Sequence, residues 1–213
     1  MINGFYFITD RKTSEKYDSD VVTDCRIALE QGVKIIQYRE KERVKLGDVY
    51  LLETAQKIHD FCRRYGASFI MNDYVDLARA VDADGVHLGQ SDGKIQEAKK
   101  ILGKEKIVGV TCASLDHARA AEQQHADYLS VGSIYSTSTK QNAIIIGVET
   151  LKSIHREMRI PLVVIGGITF ANMHEILPYC DGIAMISGIY ERGAFAENIT
   201  KFYSMYTYLK QNI

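Results

Sequence analysis

The chain has 213 residues, of which 46% are hydrophobic and 25% are charged, and its formal net charge is -1. This length and composition suit one well-buried domain, and no linker-like stretch or block of like charge divides the chain, so we expect a single domain over residues 1–213. Interspersed acids and bases argue against a nucleic-acid-binding or basic membrane-binding surface. Without a signal-like N-terminus or an apolar run of membrane-spanning length, the sequence predicts a cytoplasmic protein with neither nucleic-acid nor membrane partners.

The four cysteines, Cys25, Cys62, Cys112 and Cys180, are widely separated and lack the paired spacing of a metal site. Since no export signal precedes them, we interpret them as reduced thiols that lie mostly in the core. The six histidines are also scattered, and none forms a metal-type cluster with cysteine or carboxylate.

In chain order, short apolar runs that predict strands alternate with amphipathic stretches that predict helices. The predicted strands are Phe5–Ile8, Lys34–Gln37, Phe69–Met71, Gly85–Leu88, Lys106–Val110, Tyr128–Gly132, Pro161–Ile165 and Gly182–Ile186. The predicted helices are Val21–Gln31, Asp48–Tyr65, Tyr74–Val81, Asp92–Leu102, Ser114–Gln124, Val148–Met158, Phe170–Leu177 and Ala194–Leu209.

This alternation predicts an α/β fold, a (β/α)8 TIM barrel, because the strands are continuously apolar and their number is the one that closes a barrel. A doubly wound open sheet is the structural alternative. The loop 133–147 is unusually long and ends in the apolar Ile144–Ile146, which could dock on the barrel rim, a substrate or a partner subunit.

Asp73 and Asp92 follow two successive predicted strands, so in a parallel sheet both would lie at the carboxyl edge, where such folds bind ligands. Two carboxylates suit Mg²⁺, which takes its other oxygens from substrate phosphates. The alternative is that each aspartate only caps a helix.

Gln37, Arg39 and Lys41 follow the second strand with a period of two, so an extended backbone would point all three to one side. An arginine fork and a lysine ammonium that converge on one point could bind a diphosphate. The alternative is a solvated charge cluster on the surface.

The other strands also end in groups that bind phosphate or metal, among them Asn72, Thr111, the segment Ser136–Lys140, Gly166–Gly167 and Ser187–Gly188. Cations near Asp73 and Asp92, with separate glycines and hydroxyls after strands seven and eight, suggest two phosphorylated substrates. No strong base or nucleophile stands among them, since His87 between Val86 and Leu88 is typical of a hydrogen-bonded core residue. This inventory favours metal-assisted departure of a diphosphate.

Several motifs, in this order and spacing, resemble those of the thiamine-phosphate synthase family, and the resemblance extends nearly from end to end. They are FYFITD, QYREK (Gln37–Lys41), MNDYVDLA (Met71–Ala78), ADGVHLGQSD (Ala83–Asp92), GVTCAS (Gly109–Ser114), ADYLSVGSIYSTSTK (Ala126–Lys140), IGGIT (Ile165–Thr169) and MISGI (Met185–Ile189).

The resemblance implies a Mg²⁺-dependent transferase of thiamine biosynthesis that couples 4-amino-5-hydroxymethyl-2-methylpyrimidine diphosphate to 4-methyl-5-(2-phosphoethyl)thiazole, or its carboxylated precursor, after dissociative departure of diphosphate. It implies metal ligation by Asp73 and Asp92. The implied catalytic residues are Arg39, Lys41, Lys140 and Thr111. The implied substrate-binding residues are Gln37, Tyr38, Arg39, Glu40, Lys41, Asn72, Thr111, Thr137, Ser138, Thr139, Lys140, Gly167, Ile186 and Ser187. A homo-oligomer is compatible with the sequence.

Two positions depart from the family pattern. Thr111 stands where the family often has serine, which keeps the hydroxyl but stiffens χ1. Ser136 stands where proline is common, which leaves the loop less rigid. Two other readings remain: a thiazole tautomerase of the same fold, and a non-catalytic thiamine-phosphate-binding protein. The intact acids and the REK segment of QYREK favour the synthase.

Overall fold

In the computed structural model, which describes residues 2–89, 94–137, 139 and 143–212, the strands form a closed parallel barrel. Each strand pairs with the next along the chain, and the eighth pairs with the first, with Gly4 opposite Gly182 and Phe7 opposite Met185. The strands are β1 Gly4–Ile8, β2 Ile35–Tyr38, β3 Ser68–Asn72, β4 Gly85–Leu88, β5 Ile107–Cys112, β6 Tyr128–Val131, β7 Leu162–Ile165 and β8 Gly182–Met185. The TIM-barrel prediction is confirmed, and closure excludes the open sheet.

Helices surround the barrel and connect its strands. They are α1 Arg11–Lys16, α2 Val21–Glu30, α3 Arg43–Leu46, α4 Asp48–Tyr65, α5 Val75–Ala80, α6 Lys94–Leu102, α7 Leu115–Gln123, α8 Gly147–Glu157, α9 Met173–Ile176 and α10 Phe195–Gln211. Two 3-10 segments, Leu177–Tyr179 and Ser187–Gly193, complete the connections.

Polar residues define where several helices begin and end. Asp20 caps α2 by accepting hydrogen bonds from the backbone N–H groups of Val22 and Thr23. Ser114 caps α7, as the sequence predicts, by accepting from His117. At the end of α4, Gly66 adopts a left-handed conformation with φ of 59°, which glycine adopts without a side-chain clash.

The core has two parts, which follow from the alternation of side chains along each strand. A small cluster contains Ile2, Tyr6, Ile8, Ile35, Ile70, Tyr128, Val163 and Ala184. Because seven of these residues come from six different strands and none comes from a helix, this cluster fills the barrel interior. The larger cluster joins the outward-facing strand residues to the helices, with Phe5 and Phe7 on β1 packed in it.

The predicted boundaries differ from the observed ones mainly where the sequence lacks an apolar stripe. Helices α1 and α3 are not predicted, because α1 is almost wholly polar and α3 is a single turn. The predicted helix Phe170–Leu177 is shorter, since only Met173–Ile176 is α-helical. For the predicted helix Asp92–Leu102, the described part begins at Lys94.

Among the described residues, no helix has both the length and the apolar character needed to cross a membrane.

Candidate active site

A cavity of about 560 Å³ opens at the carboxyl end of the barrel strands. This is the end at which barrel enzymes place their active sites. Its wall includes most of the residues that the sequence singles out: Gln37, Arg39, Lys41, Asn72, Asp73, Thr111, Thr137, Thr139, Gly167, Ile186 and Ser187. The barrel thus brings into one cavity residues that lie up to 150 positions apart in the sequence.

One side of the cavity carries two cations that are each paired with a carboxylate. Arg39 Nη1 lies 2.7 Å from Asp10 Oδ1, and Lys41 Nζ lies 2.6 Å from Asp73 Oδ2. The Lys41–Asp73 pair is half-exposed, so its contribution to the free energy of unfolding is small. Lys41 is therefore available to an anion that competes with Asp73, and Arg39 lines the same cavity.

Asp73 stands at the end of β3 in a left-handed backbone conformation, with φ of 62°. Aspartate tolerates this conformation better than most residues, but it is uncommon outside glycine, and such positions often occur at functional sites. Its carboxylate is a hard oxygen donor of the kind that Mg²⁺ prefers. Among the described residues, no group of three or more histidines, cysteines and acids could hold a metal by itself. A metal here would need oxygens from elsewhere, as Mg²⁺ normally takes from substrate phosphates.

Asn72, next to Asp73, presents a buried amide to the cavity wall. Within the described part of the chain, its Nδ2 group has no hydrogen-bond partner. A buried donor without an acceptor is unfavourable, so a ligand oxygen at this point would stabilise it.

Thr111 on β5 is held from inside the barrel by His87 on β4. His87 Nε2 lies 2.9 Å from Thr111 Oγ1, and His87 Nδ1 lies 2.9 Å from the hydroxyl of Tyr128. Burial lowers the pKa of His87 to about 4, so the imidazole is neutral near pH 7. His87 is hence a hydrogen-bonded core residue, as predicted, although it also reaches the cavity wall.

The opposite side of the cavity consists of glycines and hydroxyl groups. Gly166 and Gly167 have φ of 102° and 66°, and a Cβ at Gly167 would collide with Ser136 O and the Cβ of Tyr135. Thr139 Oγ1 and Ser187 Oγ are 2.7 Å apart, which joins the loop after β6 to the loop after β8. This side offers neutral donors to a second anion.

Two predicted substrate-binding residues, Tyr38 and Glu40, do not line the cavity. Tyr38 is 1% exposed and packs between the barrel and the helices. Glu40 instead accepts a hydrogen bond of 3.0 Å from Arg11 Nε of α1 and another from the backbone of Glu42. Alternation along β2 explains both positions, because Gln37 and Arg39 point into the barrel while their neighbours point out.

Three further predicted residues, Asp92, Ser138 and Lys140, lie outside the described residues.

Around the cavity, the structure also shows contacts that the sequence does not predict. Asp10, although part of FYFITD, is assigned no role there, yet it caps α1 and pairs with Arg39. Ile144 lines the cavity and is 71% exposed, whereas Ile146 packs against the core. The segment thus lies with Ile144 at the cavity and Ile146 against the core.

The cysteines take no part in this site. All four are buried thiols, and burial raises the pKa of Cys62 and of Cys180 to about 12. A thiol with so high a pKa is a poor nucleophile at neutral pH.

Fold and cavity together are those of a (β/α)8-barrel enzyme with its site at the carboxyl ends of the strands. The sequence model of one family, described as thiamine monophosphate synthase, matches residues 5–189. The chain belongs to this family, whose members are transferases of thiamine biosynthesis, so the family and the enzyme class predicted from the motifs are confirmed.

Individual relatives agree with this assignment. A protein of Clostridium acetobutylicum named thiamine-phosphate synthase is 43% identical over 185 residues, which cover 86% of this chain and 85% of the relative. The solved structure of a thiamine phosphate pyrophosphorylase from Pyrococcus furiosus matches with a TM-score of 0.86 and a sequence identity of 36%. The match covers 97% of this chain and 96% of the Pyrococcus furiosus chain. The thiamine biosynthetic bifunctional enzyme TH1 of Arabidopsis thaliana is 34% identical over 98% of this chain, which spans 40% of that protein.

Proposed function

We propose that this chain joins 4-amino-5-hydroxymethyl-2-methylpyrimidine diphosphate to 4-methyl-5-(2-phosphoethyl)thiazole, or to its carboxylated precursor, and that Mg²⁺ assists the departure of diphosphate. The observation that supports this most is the division of one cavity into a cationic side at Arg39 and Lys41 and a neutral side at Gly167 and Ser187. Two substrates that each carry phosphate need two such surfaces.

Arg39 and Lys41 would exchange their carboxylate partners for diphosphate oxygens. The guanidinium gives paired hydrogen bonds and the ammonium gives a mobile point charge. Lys140, the third predicted cation, would join them. Asn72 and Thr111 would supply neutral donors to the same group or to the pyrimidine, since both line the cavity.

Asp73, with Asp92 as its predicted partner, would hold Mg²⁺. The exposed carboxylate of Asp73 beside Lys41 fits this role, because a diphosphate that binds Lys41 releases Asp73 for the metal. When bound, the metal would neutralise charge that develops on the leaving diphosphate.

Thr137, Ser138, Thr139, Gly167, Ile186 and Ser187 would bind the thiazole phosphate. Left-handed Gly167 lets the backbone approach an anion closely. Ile186 contributes an apolar surface for a ring.

With 4-methyl-5-(2-phosphoethyl)thiazole as the acceptor, the coupling itself needs no protein base. The methylene carbon–oxygen bond breaks and its electron pair leaves with diphosphate, then the lone pair of the thiazole nitrogen forms the new carbon–nitrogen bond. No proton moves at the reacting atoms, which agrees with the neutral, hydrogen-bonded state of His87.

The decisive experiment mixes both phosphorylated heterocycles with protein and Mg²⁺ and measures diphosphate release together with thiamine phosphate. Diphosphate and thiamine phosphate should appear in equal amounts and should stop appearing when Mg²⁺ is chelated. Full turnover after chelation would contradict the metal assignment.

Two variants test the acids and cations that lie outside the described residues. Asp92→Ala and Lys140→Ala should each lower the coupling rate sharply with little effect on thermal stability. A large loss of stability with a normal rate would identify a structural residue instead.

A further inference from the structure

Five polar side chains form a continuous chain of hydrogen bonds across the barrel interior. Gln37 Nε2 donates to the hydroxyl of Tyr6 at 2.9 Å, and the hydroxyls of Tyr6 and Tyr128 are 2.9 Å apart. The hydroxyl of Tyr128 then lies 2.9 Å from His87 Nδ1, and His87 Nε2 lies 2.9 Å from Thr111 Oγ1. The chain thus links strands β2, β1, β6, β4 and β5.

Gln37, His87 and Thr111 of this hydrogen-bonded chain reach the cavity wall, while the two tyrosines between Gln37 and His87 do not line it. Gln37 and Thr111 line the cavity wall, whereas Tyr6 and Tyr128 are 1% and 0% exposed. Buried hydroxyls are stable only when bonded, and phenylalanine would fill nearly the same volume without that requirement. The two hydroxyls are therefore not needed to fill the barrel.

Each group in this hydrogen-bonded chain has a fixed number of protons. The donor in the terminal Gln37–Tyr6 hydrogen bond therefore determines the donor in every other hydrogen bond. Burial raises the pKa of Tyr6 and of Tyr128, so each hydroxyl keeps one proton, and an imidazole with a hydroxyl at each ring nitrogen can donate through one nitrogen and accept through the other. Because Gln37 donates to Tyr6, the proton of Tyr6 goes to Tyr128 and that of Tyr128 goes to His87 Nδ1. His87 then carries its proton on Nε2 and donates it to Thr111.

We propose that this hydrogen-bonded chain of five side chains positions the Thr111 hydroxyl. Gln37 acts through the two tyrosines and His87, and leaves the Thr111 hydroxyl free to donate to an anion in the cavity. The inference deepens the proposed function, on which it rests, because the anion is the diphosphate of the substrate. Since Gln37 Nε2 donates to Tyr6, the side-chain carbonyl oxygen of Gln37 points away from Tyr6. In that position it can accept an N–H of an amino-substituted ring. One chain thus sets a donor for the phosphate end and an acceptor for the ring end of a single substrate.

The first test is the position of the His87 proton, read from ¹⁵N chemical shifts of the two ring nitrogens. Wild-type protein should show a protonated Nε2 and an unprotonated Nδ1, both without and with Mg²⁺ and inorganic pyrophosphate. A protonated Nδ1 in the pyrophosphate complex would overturn the proposal.

In the second test, Gln37→Glu reverses the donor and acceptor roles along the hydrogen-bonded chain, starting from the end opposite Thr111. A carboxylate only accepts, so Tyr6 must donate to it, and every later bond reverses until Thr111 donates to His87. At a pH where the ¹³C shift of the new carboxyl group reports an ionised side chain, the His87 proton should move to Nδ1. Adding Tyr128→Phe interrupts the chain and should return the proton to Nε2.

A matched control separates polarity from charge. Asn72→Asp places a carboxylate on the same cavity wall but outside the chain, so it should weaken pyrophosphate binding and leave the proton of His87 on Nε2. If Asn72→Asp moves this proton as well, or if Gln37→Glu leaves it on Nε2, the hydrogen-bonded chain does not pass a change of donor and acceptor roles from residue 37 to His87.

Binding of Mg²⁺-pyrophosphate, measured by calorimetry, gives the functional readout. Gln37→Glu should weaken binding about tenfold more in the otherwise wild-type protein than in the Tyr128→Phe variant, which is the scale of one hydrogen bond to a charged group. Equal losses in both backgrounds would refute transmission. Failure of the wild-type protein to bind pyrophosphate would instead contradict the proposed function, and the two failures are thus distinct.

Discussion

Replacement of His87 by glutamine should change how stability depends on pH, because the wild-type imidazole is buried in its neutral form. Burial lowers the pKa of His87 from 6.5 to about 4. Below pH 6.5, the unfolded chain therefore binds a proton that the folded protein does not bind. This contribution to stability is present above the unfolded pKa and is lost as the pH falls toward the folded value.

The magnitude follows from the two pKa values. The full difference corresponds to about 3 kcal/mol, and the part lost between about pH 7 and about pH 5 is about 2 kcal/mol. In His87→Gln this part is absent, so the free energy of unfolding should fall by about 2 kcal/mol less over the same interval.

Urea unfolding at a series of pH values, in protein freed of metal by chelation, measures both dependences. The substitution itself shifts the whole curve, and the slope is therefore the quantity to compare. Effects of the other histidines and of the carboxylates are common to both proteins and cancel in the difference. Parallel curves for the two proteins would refute the assignment of a neutral, buried His87.

Three further substitutions follow from the site and the barrel. Lys41→Met should change the free energy of unfolding, measured with urea, by less than about 1 kcal/mol, because its pair with Asp73 is half-exposed. In steady-state kinetics, the same variant should lower kcat/KM for the pyrimidine diphosphate about tenfold or more. Gly167→Ala should raise KM for the thiazole phosphate, because the new Cβ would push the loop after β6 outward. Gly109→Ala should destabilise the fold by about 1–3 kcal/mol in thermal unfolding, since its Cβ would occupy the position of the Tyr128 ring.

Each substitution has a control or a contrary outcome. For Gly167, the matched control is Gly103→Ala, because Gly103 also has a positive φ, of 105°, but nothing lies within 4 Å of its added Cβ. Equal effects of both alanines on KM would attribute the change to backbone strain alone. For Lys41, a large loss of stability would show a structural ion pair. For Gly109, an unchanged melting temperature would mean that the Tyr128 ring has room to move.

The sequence predicts the barrel well because its strands are regular apolar runs. Alternation also gives the correct side for Gln37, Arg39 and Lys41, which all reach the cavity. It also places Tyr38 and Glu40 on the opposite side, where the structure has them. The partner of Glu40 could not be predicted, because Glu40 accepts a hydrogen bond from Arg11, on a helix whose polar sequence gives no periodic signal.

Contacts between distant residues explain the rest of what sequence reasoning missed. His87 is predicted as a core residue from its apolar neighbours, and it is one. Its bond to Thr111 depends on the register of β4 with β5, in which His87 is opposite Gly109. Likewise, the pairing of Asp10 with Arg39 depends on β1 lying beside β2, where Ile8 is opposite Gln37. No local pattern carries this information.

The closing helix α10 also determines how the chain could be joined to other proteins. Near its end, the hydroxyl of Tyr206 donates to the carbonyl of Asp181, and Lys210 Nζ donates to the carbonyl of Cys180, just before β8 begins. Since β1 begins at the same end of the barrel, residues 2 and 212 both lie at the face opposite the cavity. A polypeptide fused at either position would begin far from the route by which substrates enter. Tags, immobilisation anchors or a second catalytic unit can therefore be attached there with the mouth of the barrel left clear.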